Sequence, residues 1–535
     1  MKKILISGLT LFLLFGLRPL PAHDSGCQVC HTTMHSSCGL RCQDCHLSVN
    51  APRNPKLNNH PAVIANPSQE RWWAEKCQRC HQKEMDDFKN SLHYSSAGII
   101  DQTRFLFAKT AHLLQTAPDA WHELSKISKV EQPVISGLAD HLLASKCLGC
   151  HFASDRHAAA KGRKHAAGCA ACHVPLDQQT GKPLNGHRFV KLPADAVCLA
   201  CHSGNRTGAD YYGYFEHDYH KQYQTPFGSR PQFGAYQHRL RPDVHLRAGL
   251  HCTDCHTEHK GHRVVQRFEG QQADVRCSDC HGGFNLRATR THARAPAFSQ
   301  QIVAHKSYHA RLRCSACHAQ WAYQDYGLHL FLDESKHYEM WADYLWQGDG
   351  EVTRLLKEQL RLPESKRTFA FSRNKLSGKI MKGIWYVAWT FRRWENPVLG
   401  IDPLGKVSIV RPLYQYFLTY ADSLDRVWLD SQKPMRKDGK IGWNWDAFVP
   451  HTIGKKGRSC ESCHLNAKAV GLGIRQNIAD SVANPITLPT QPVLPGSRLL
   501  NKKERQRLLH KSRNYRYWRT KAYLQNGILK LFEDK

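Results

Sequence analysis

Apolar positions along this 535-residue chain come mostly in short runs, and mean hydropathy is −0.55. One run opens the chain: Ile4–Leu17, 14 residues, behind Lys2 and Lys3 and ahead of Leu20-Pro21-Ala22. A charged start, an apolar middle and a small residue predict an export signal over residues 1–22. The competing reading is an uncleaved anchor, but the run falls short of the roughly 20 residues that a spanning helix needs. No later segment is long and apolar enough to span a bilayer. Helix-like spacing marks Thr103–Gln115, the run around His141 and a stretch near His337–Leu360. The run Ile384-Trp-Tyr-Val-Ala-Trp-Thr-Phe391, rich in β-branched and aromatic residues, predicts a strand, and Lys406–Val410 a second. Residues 476–500 hold four prolines among polar residues and predict an extended linker. Lys502 to Lys521, with nine Lys or Arg against the single acid Glu504, predicts a basic helix.

Composition changes this picture, because the chain holds 21 Cys and 34 His. In an exported chain many cysteines usually mean disulfides, and elsewhere zinc or catalysis. Spacing decides between these. Cys-x-x-Cys-His occurs ten times. In chain order the sites are Cys27, Cys30 and His31; Cys42, Cys45 and His46; Cys77, Cys80 and His81; Cys147, Cys150 and His151; and Cys169, Cys172 and His173. They continue with Cys198, Cys201 and His202; Cys252, Cys255 and His256; Cys277, Cys280 and His281; Cys314, Cys317 and His318; and Cys460, Cys463 and His464. Only Cys38 is left over. Two thiols at i and i+3 lie on one side of a turn, where they can add to the two vinyl groups along one porphyrin edge. The adjacent His then reaches the iron as proximal ligand. Zinc sites use Cys-x-x-Cys pairs but need no His after each one. The pattern therefore predicts about ten covalent haem c groups. Nine motifs lie between Cys27 and His318, so close that porphyrins would form much of the interior and neighbouring haems would approach van der Waals contact.

Ten proximal ligands leave 24 histidines. Candidate distal ligands are those standing close to motifs: His93 after the third, His141 before the fourth, His165 before the fifth, His245 before the seventh. His259 and His262 follow the seventh, His309 precedes the ninth and His451 the tenth. Each is a candidate for its own haem or a neighbour's. Two strong nitrogen ligands make an iron low-spin and closed to substrate. Cys38 is open to reading as a spare buried thiol, an iron ligand, an intermolecular partner or a catalyst.

Formal charge is +30, or +27 without Lys2, Lys3 and Arg18. A basic chain suggests nucleic acid, but export argues against that partner. The propionates of ten haems would subtract roughly 10 to 20 charges. The tail reads either as a solvated face or as a peripheral contact with an acidic partner or membrane surface. The expected organisation is a signal over 1–22, a nine-haem body over 23–318, a haem-free Trp-rich module over 319–450, the tenth haem site over 451–475, then linker and basic helix over 476–535. Residues 319–459 hold nine of the 13 tryptophans, including Trp321, Trp341, Trp385, Trp389 and Trp394, as an ordinary core or a docking surface.

The run of motifs, with Cys77-Gln-Arg-Cys-His81 followed by Ser91-Leu-His93, resembles the multihaem cytochrome c superfamily of octahaem tetrathionate reductases, hydroxylamine oxidoreductases and related tetrahaem cytochromes. In that group the Ser-x-His supplies a distal ligand, which the resemblance carries to His93. Pro450-His-Thr-Ile-Gly-Lys-Lys-Gly-Arg-Ser-Cys-Glu-Ser-Cys-His464 resembles the last haem site of larger uncharacterised members, as does Glu395–Ile401 upstream. The chain departs from relatives at Asp325-Tyr-Gly-Leu-His329, where they carry a further Cys-Tyr-Gly-Cys-His. Both thiols are missing and a haem site with them. The resemblance implies a mainly α and irregular, haem-packed multihaem cytochrome c fold, to which the strand-like runs add a small antiparallel β-containing module near residues 365–430.

The first functional reading is a periplasmic electron carrier with mainly bis-His haems, exchanging electrons with a quinol dehydrogenase, other cytochromes or a terminal reductase. The second is a reductase or oxidase of a small sulfur or nitrogen oxyanion with one open-site haem. No catalytic residue is identifiable, and the superfamily's activities do not transfer: neither a tyrosine cross-link nor a lysine-bearing motif is recognisable.

Overall fold

The computed structural model describes residues 39–48, 63–113, 117–154, 164–204, 208–216, 232–233, 236–258, 262, 264, 273, 275–282, 309–345, 347–393, 397–470, 497–509, 516–517, 520–521 and 524. The signal stretch, the first motif, Cys38, His259, Trp394 and residues 476–496 of the linker lie outside the described residues.

The strand-like run beginning at Ile384 forms strand β6 (Ile384–Arg393). Successive strand residues point to opposite faces, and here both faces are buried. Ile384 and Tyr386 pack with Tyr338, Trp341 and Leu356, while Trp385 and Val387 pack with Leu106, Phe107, Leu138 and Leu142. A strand covered on both sides has to be apolar throughout, which is why the run reads so clearly. It pairs antiparallel with β3 (Gln324–Asp333), and β3 pairs parallel with β9 (Tyr416–Ala421), which β10 (Val427–Gln432) flanks. The small antiparallel β-containing module expected near 365–430 is thus joined by β3, whose parallel pairing with β9 makes this sheet mixed and extends it over 324–432. A second sheet, β11-β8-β7-β12, is antiparallel throughout: Asn444–Phe448, Val407–Leu413, Val398–Ile401 and Arg498–Leu499. The run read as Lys406–Val410 opens β8.

Helices close the two faces of the mixed sheet. Gly350–Gln359 (inside the stretch expected to be helical) lies on one, capped by the Asp349 carboxylate on the amides of Glu351 and Val352. Ala97–Leu106 and Ile135–Ser145 lie on the other. The predicted Thr103–Gln115 helix stops at Leu106, because Phe107 turns into the core and Ala108 takes φ +57°. The haem body and the Trp-rich region therefore share one core. Trp385 is buried in it, Trp321, Trp341, Trp443 and Trp445 are buried elsewhere in the chain, as an ordinary core requires, and Trp428 is exposed.

The second sheet holds the ninth and tenth motifs. Leu399, Ile401, Ile409 and Phe448 pack against Ala316, Ala319 and Cys463. The backbone of Arg313 donates to Val407, that of Gln320 to Thr452 and that of Arg458 to Cys317, at 2.8–2.9 Å. Asp325–His329, the place of the missing haem site, lies in β3, and His329 Nε2 is 2.8 Å from Thr419 Oγ1.

Candidate haem sites

The described motifs form single turns or short helices: Cys42–His46, Cys277–His281 and Cys314–His318 are complete helical turns, and Cys147–Cys150 is a 3-10 turn. Three motifs carry Asp at the fourth residue of their turn, counting the capping residue as first. Asp44, Asp254 and Asp279 accept from the backbone N–H of Arg41, His251 and Arg276 at 2.8–2.9 Å, tightening the turn that holds both sulfurs on one side.

Ring tautomers separate ligand-competent histidines from the others. Nδ1 of His46, His173, His318 and His464 donates to the carbonyls of Ile64, Val190, Gly454 and Leu508, at 2.8, 2.7, 3.2 and 2.8 Å. A carbonyl can only accept, so Nδ1 carries the proton and Nε2 the lone pair. That is the tautomer an axial imidazole needs, held by an outer hydrogen bond.

Six proximal rings face a second histidine. Centroids are 6.1 Å apart for His46 and His187, 6.2 Å for His202 and His93, 5.8 Å for His173 and His262, and 6.1 Å for His256 and His451. They are 6.0 Å apart for His281 and His245, and 6.2 Å for His464 and His309. A metal–imidazole bond is about 2 Å, so two rings on opposite sides of one iron place their centres roughly 6 Å apart. In the His173–His262 pair the two Nε2 atoms face each other at 3.5 Å. The residues present therefore fit an iron held between two imidazoles. Burial pushes His93 and His309 down to about 4, so both are neutral near pH 7, as a ligand must be. Burial also draws His451 down, but the charge and hydrogen bond of Asp210, with Asp243, carry it above its ordinary value.

Of the distal candidates, His93, His245, His262, His309 and His451 thus lie opposite proximal rings, in each case from another motif than the nearest in sequence. His93 faces the sixth motif and His245 the eighth. His187 was not singled out in the sequence: it stands 14 residues after the fifth motif, in Asn-Gly-His-Arg, with no local mark. Two candidates are placed otherwise. His141 accepts Trp385 Nε1–H at Nδ1 and donates from Nε2 to the Lys382 carbonyl, both at 2.9 Å, which is the opposite tautomer. His165 has Nδ1 on the Ala166 carbonyl and Nε2 at 3.1 Å from both Ser154 Oγ and the Gly149 carbonyl. Neither nitrogen of either ring points at a proximal histidine. His151 itself accepts the Ala153 amide at Nδ1 and donates from Nε2 to the Tyr94 carbonyl at 2.9 Å, so a haem at the fourth motif requires that contact to open.

The cysteine residues are half-buried or exposed, and desolvation at the sulfur raises several of their thiols. Burial raises Cys147 and Cys169 to about 12, and Cys172 and Cys255 to about 11. Thioether sulfurs carry no charge, which suits partly desolvated positions. Among the described residues no three Cys, His, Asp or Glu side chains converge as a metal ion held by side chains alone needs. Thiols of different motifs also neighbour one another. Cys169 lies near Cys77, Cys172 near Cys198, Cys255 near Cys280 and Cys317 near Cys463. Cys252 is hydrogen-bonded to Cys198 and Cys277 to Cys314, and both are raised above the ordinary thiol by that bond and by burial. Cys201 Sγ donates to the Cys150 carbonyl at 3.4 Å.

The sequence model of one family, described as Cytochrome c3, matches residues 244–326, which hold the seventh, eighth and ninth motifs. No curated protein and no solved structure matches. The family match, with the motifs, supports a cytochrome of the multihaem c type that transfers electrons and carries covalent haem c. No helix among the described residues is long and apolar enough to cross a membrane.

Proposed function

We propose that this chain is a periplasmic decahaem cytochrome, related to the octahaem reductase and hydroxylamine oxidoreductase group, that relays electrons between redox partners along closely spaced, mainly bis-His haems. The observation that carries the reading is the set of six facing histidine pairs at 5.8–6.2 Å. His46, His202, His173, His256, His281 and His464 act as proximal ligands, and His187, His93, His262, His451, His245 and His309 as distal ones. The neighbouring thiols support an order of haems: third, fifth, sixth, seventh, eighth, ninth, tenth, with the fourth beside the sixth. When bound, the haems supply the redox chemistry; the chain's own groups fix the rings and neutralise the propionates. Pyridine haemochrome assay and intact mass of the holoprotein test the stoichiometry. Ten haems per chain is the expected result, and eight or fewer overturns the assumption that every motif is used.

The second reading, reduction or oxidation of a small sulfur or nitrogen oxyanion, is favoured by one site. The His81 side chain is 57% exposed and its Nδ1 lies 3.9 Å from Glu84 Oε2. It faces no second histidine ring among the described residues. An open iron there would attract cyanide or nitrite.

A further inference from the structure

Two of the six histidine pairs have a distal ring held by a carboxylate. His187, like the proximal His46, His173 and His464, has Nδ1 on a neutral backbone carbonyl. His245 and His451 have Nδ1 on carboxylates instead: Asp243 Oδ1 at 2.7 Å and Asp210 Oδ1 at 3.2 Å. Both aspartates are 2% exposed. Asp243 also accepts the His245 amide through Oδ1 and the Ile453 amide through Oδ2, each at 2.8 Å. Val244 N donates to the Ile453 carbonyl at 2.8 Å, and Asp210 Oδ2 accepts the His451 amide at 2.8 Å. The segments 243–247 and 451–453 are thus tied together, and the tie places both distal rings at once. Those rings serve neighbouring motifs, the seventh through His256 and the eighth through His281. A third buried carboxylate, Asp195, accepts the Cys252 amide of the seventh motif at 3.1 Å.

A hydrogen bond to an ionised acceptor is roughly twice as strong as one to a neutral carbonyl. A carboxylate that draws on Nδ1–H makes the imidazole more basic. A more basic axial ligand, with negative charge buried nearby, stabilises ferric over ferrous iron and lowers the reduction potential. We propose that Asp243 and Asp210 are positioning residues that hold His245 and His451 and lower the potentials of the haems of the eighth and seventh motifs below what the same rings would give on a neutral acceptor.

This inference rests on the bis-His reading, and the experiment keeps the two apart. Full-length holoprotein and the variants Asp243→Asn and Asp210→Asn are titrated potentiometrically, with each haem followed by electron paramagnetic resonance. The expected result is an upward shift of one midpoint potential in each variant, a different haem in each, with low-spin signals retained and the other potentials unchanged. Conversion of that one haem to high spin also supports the assignment, since the ring then leaves the iron when its carboxylate goes. Should Asp243→Asn, which also weakens the Ile453 tie, fail to accumulate, Asp210→Asn reads the same effect at the seventh motif. Unchanged potentials in low-spin variants overturn the inference alone. A wild-type spectrum without low-spin signals from these two haems overturns the pairing beneath it as well.

Discussion

His141 and His93 look alike in sequence, each a histidine near a motif, yet the fold uses them in opposite ways. His141 is fully buried, with Trp385 and Lys382 taking both ring nitrogens. Burial pushes it from 6.5 down to about 4. Between those values the unfolded chain binds the proton and the folded chain does not. This contribution to stability is complete above about pH 6.5 and fades as pH falls toward 4, by on the order of 2 kcal/mol at pH 5. Denaturant unfolding at pH 7 and pH 5 should show a smaller pH-dependent loss for His141→Asn than for wild type; equal losses would count against a neutral buried His141. His93 is tested by spin state. In His93→Ala one haem should become high-spin, and that signal should vanish when Cys198 and Cys201 are also replaced by Ala, because His93 faces His202. A signal that persists assigns His93 to another haem. The motifs were legible because attachment chemistry fixes their spacing within five residues. Five facing rings were among the sequence candidates, but which motif each faces was not legible, since they arrive from other segments, and only ring hydrogen bonding tells His245 from His165.

At the level of elements, β6 could be read from sequence because burial on both faces left Ile384–Val387 apolar at every position. Its partner β3 could not. Asp325–His329 invites comparison with a lost haem motif, and the parallel pairing with β9 joins residues almost 90 positions apart (Leu328 with Tyr416). The mixed sheet rests on Trp385, which is 2% exposed between the sheet and helices Ala97–Leu106 and Ile135–Ser145. Trp385→Ala should cost about 3–5 kcal/mol, seen as a lower thermal midpoint with haem content unchanged. A midpoint equal to that of wild type would mean the shared core is not holding the two regions together. The helix Lys502–Leu509 is likewise more than a solvated basic face: Leu508 and Leu509 pack beside Cys463, and the Leu508 carbonyl accepts from His464 Nδ1.

For the whole molecule, the propionates of ten haems would offset roughly 10 to 20 of the +30 formal charge. What remains uncompensated should act on association. Replacing Lys502, Lys503, Arg505 and Arg507 by Gln keeps the helix on the tenth motif while removing its charge. Electron exchange with an acidic partner should slow at low ionic strength and match wild type near 1 M salt, where screening acts within about 3 Å. Equal rates at low salt would mean that the charge of this helix does not act on association.

The six facing pairs carry the account, and quantified electron paramagnetic resonance of the oxidised holoprotein, before and after cyanide, tests them most directly. The account predicts low-spin ferric signals integrating to at least six haems per chain, matching the pairs at 5.8–6.2 Å, and unmoved by cyanide. Fewer low-spin haems than pairs, with the balance high-spin and converted by cyanide, would contradict it.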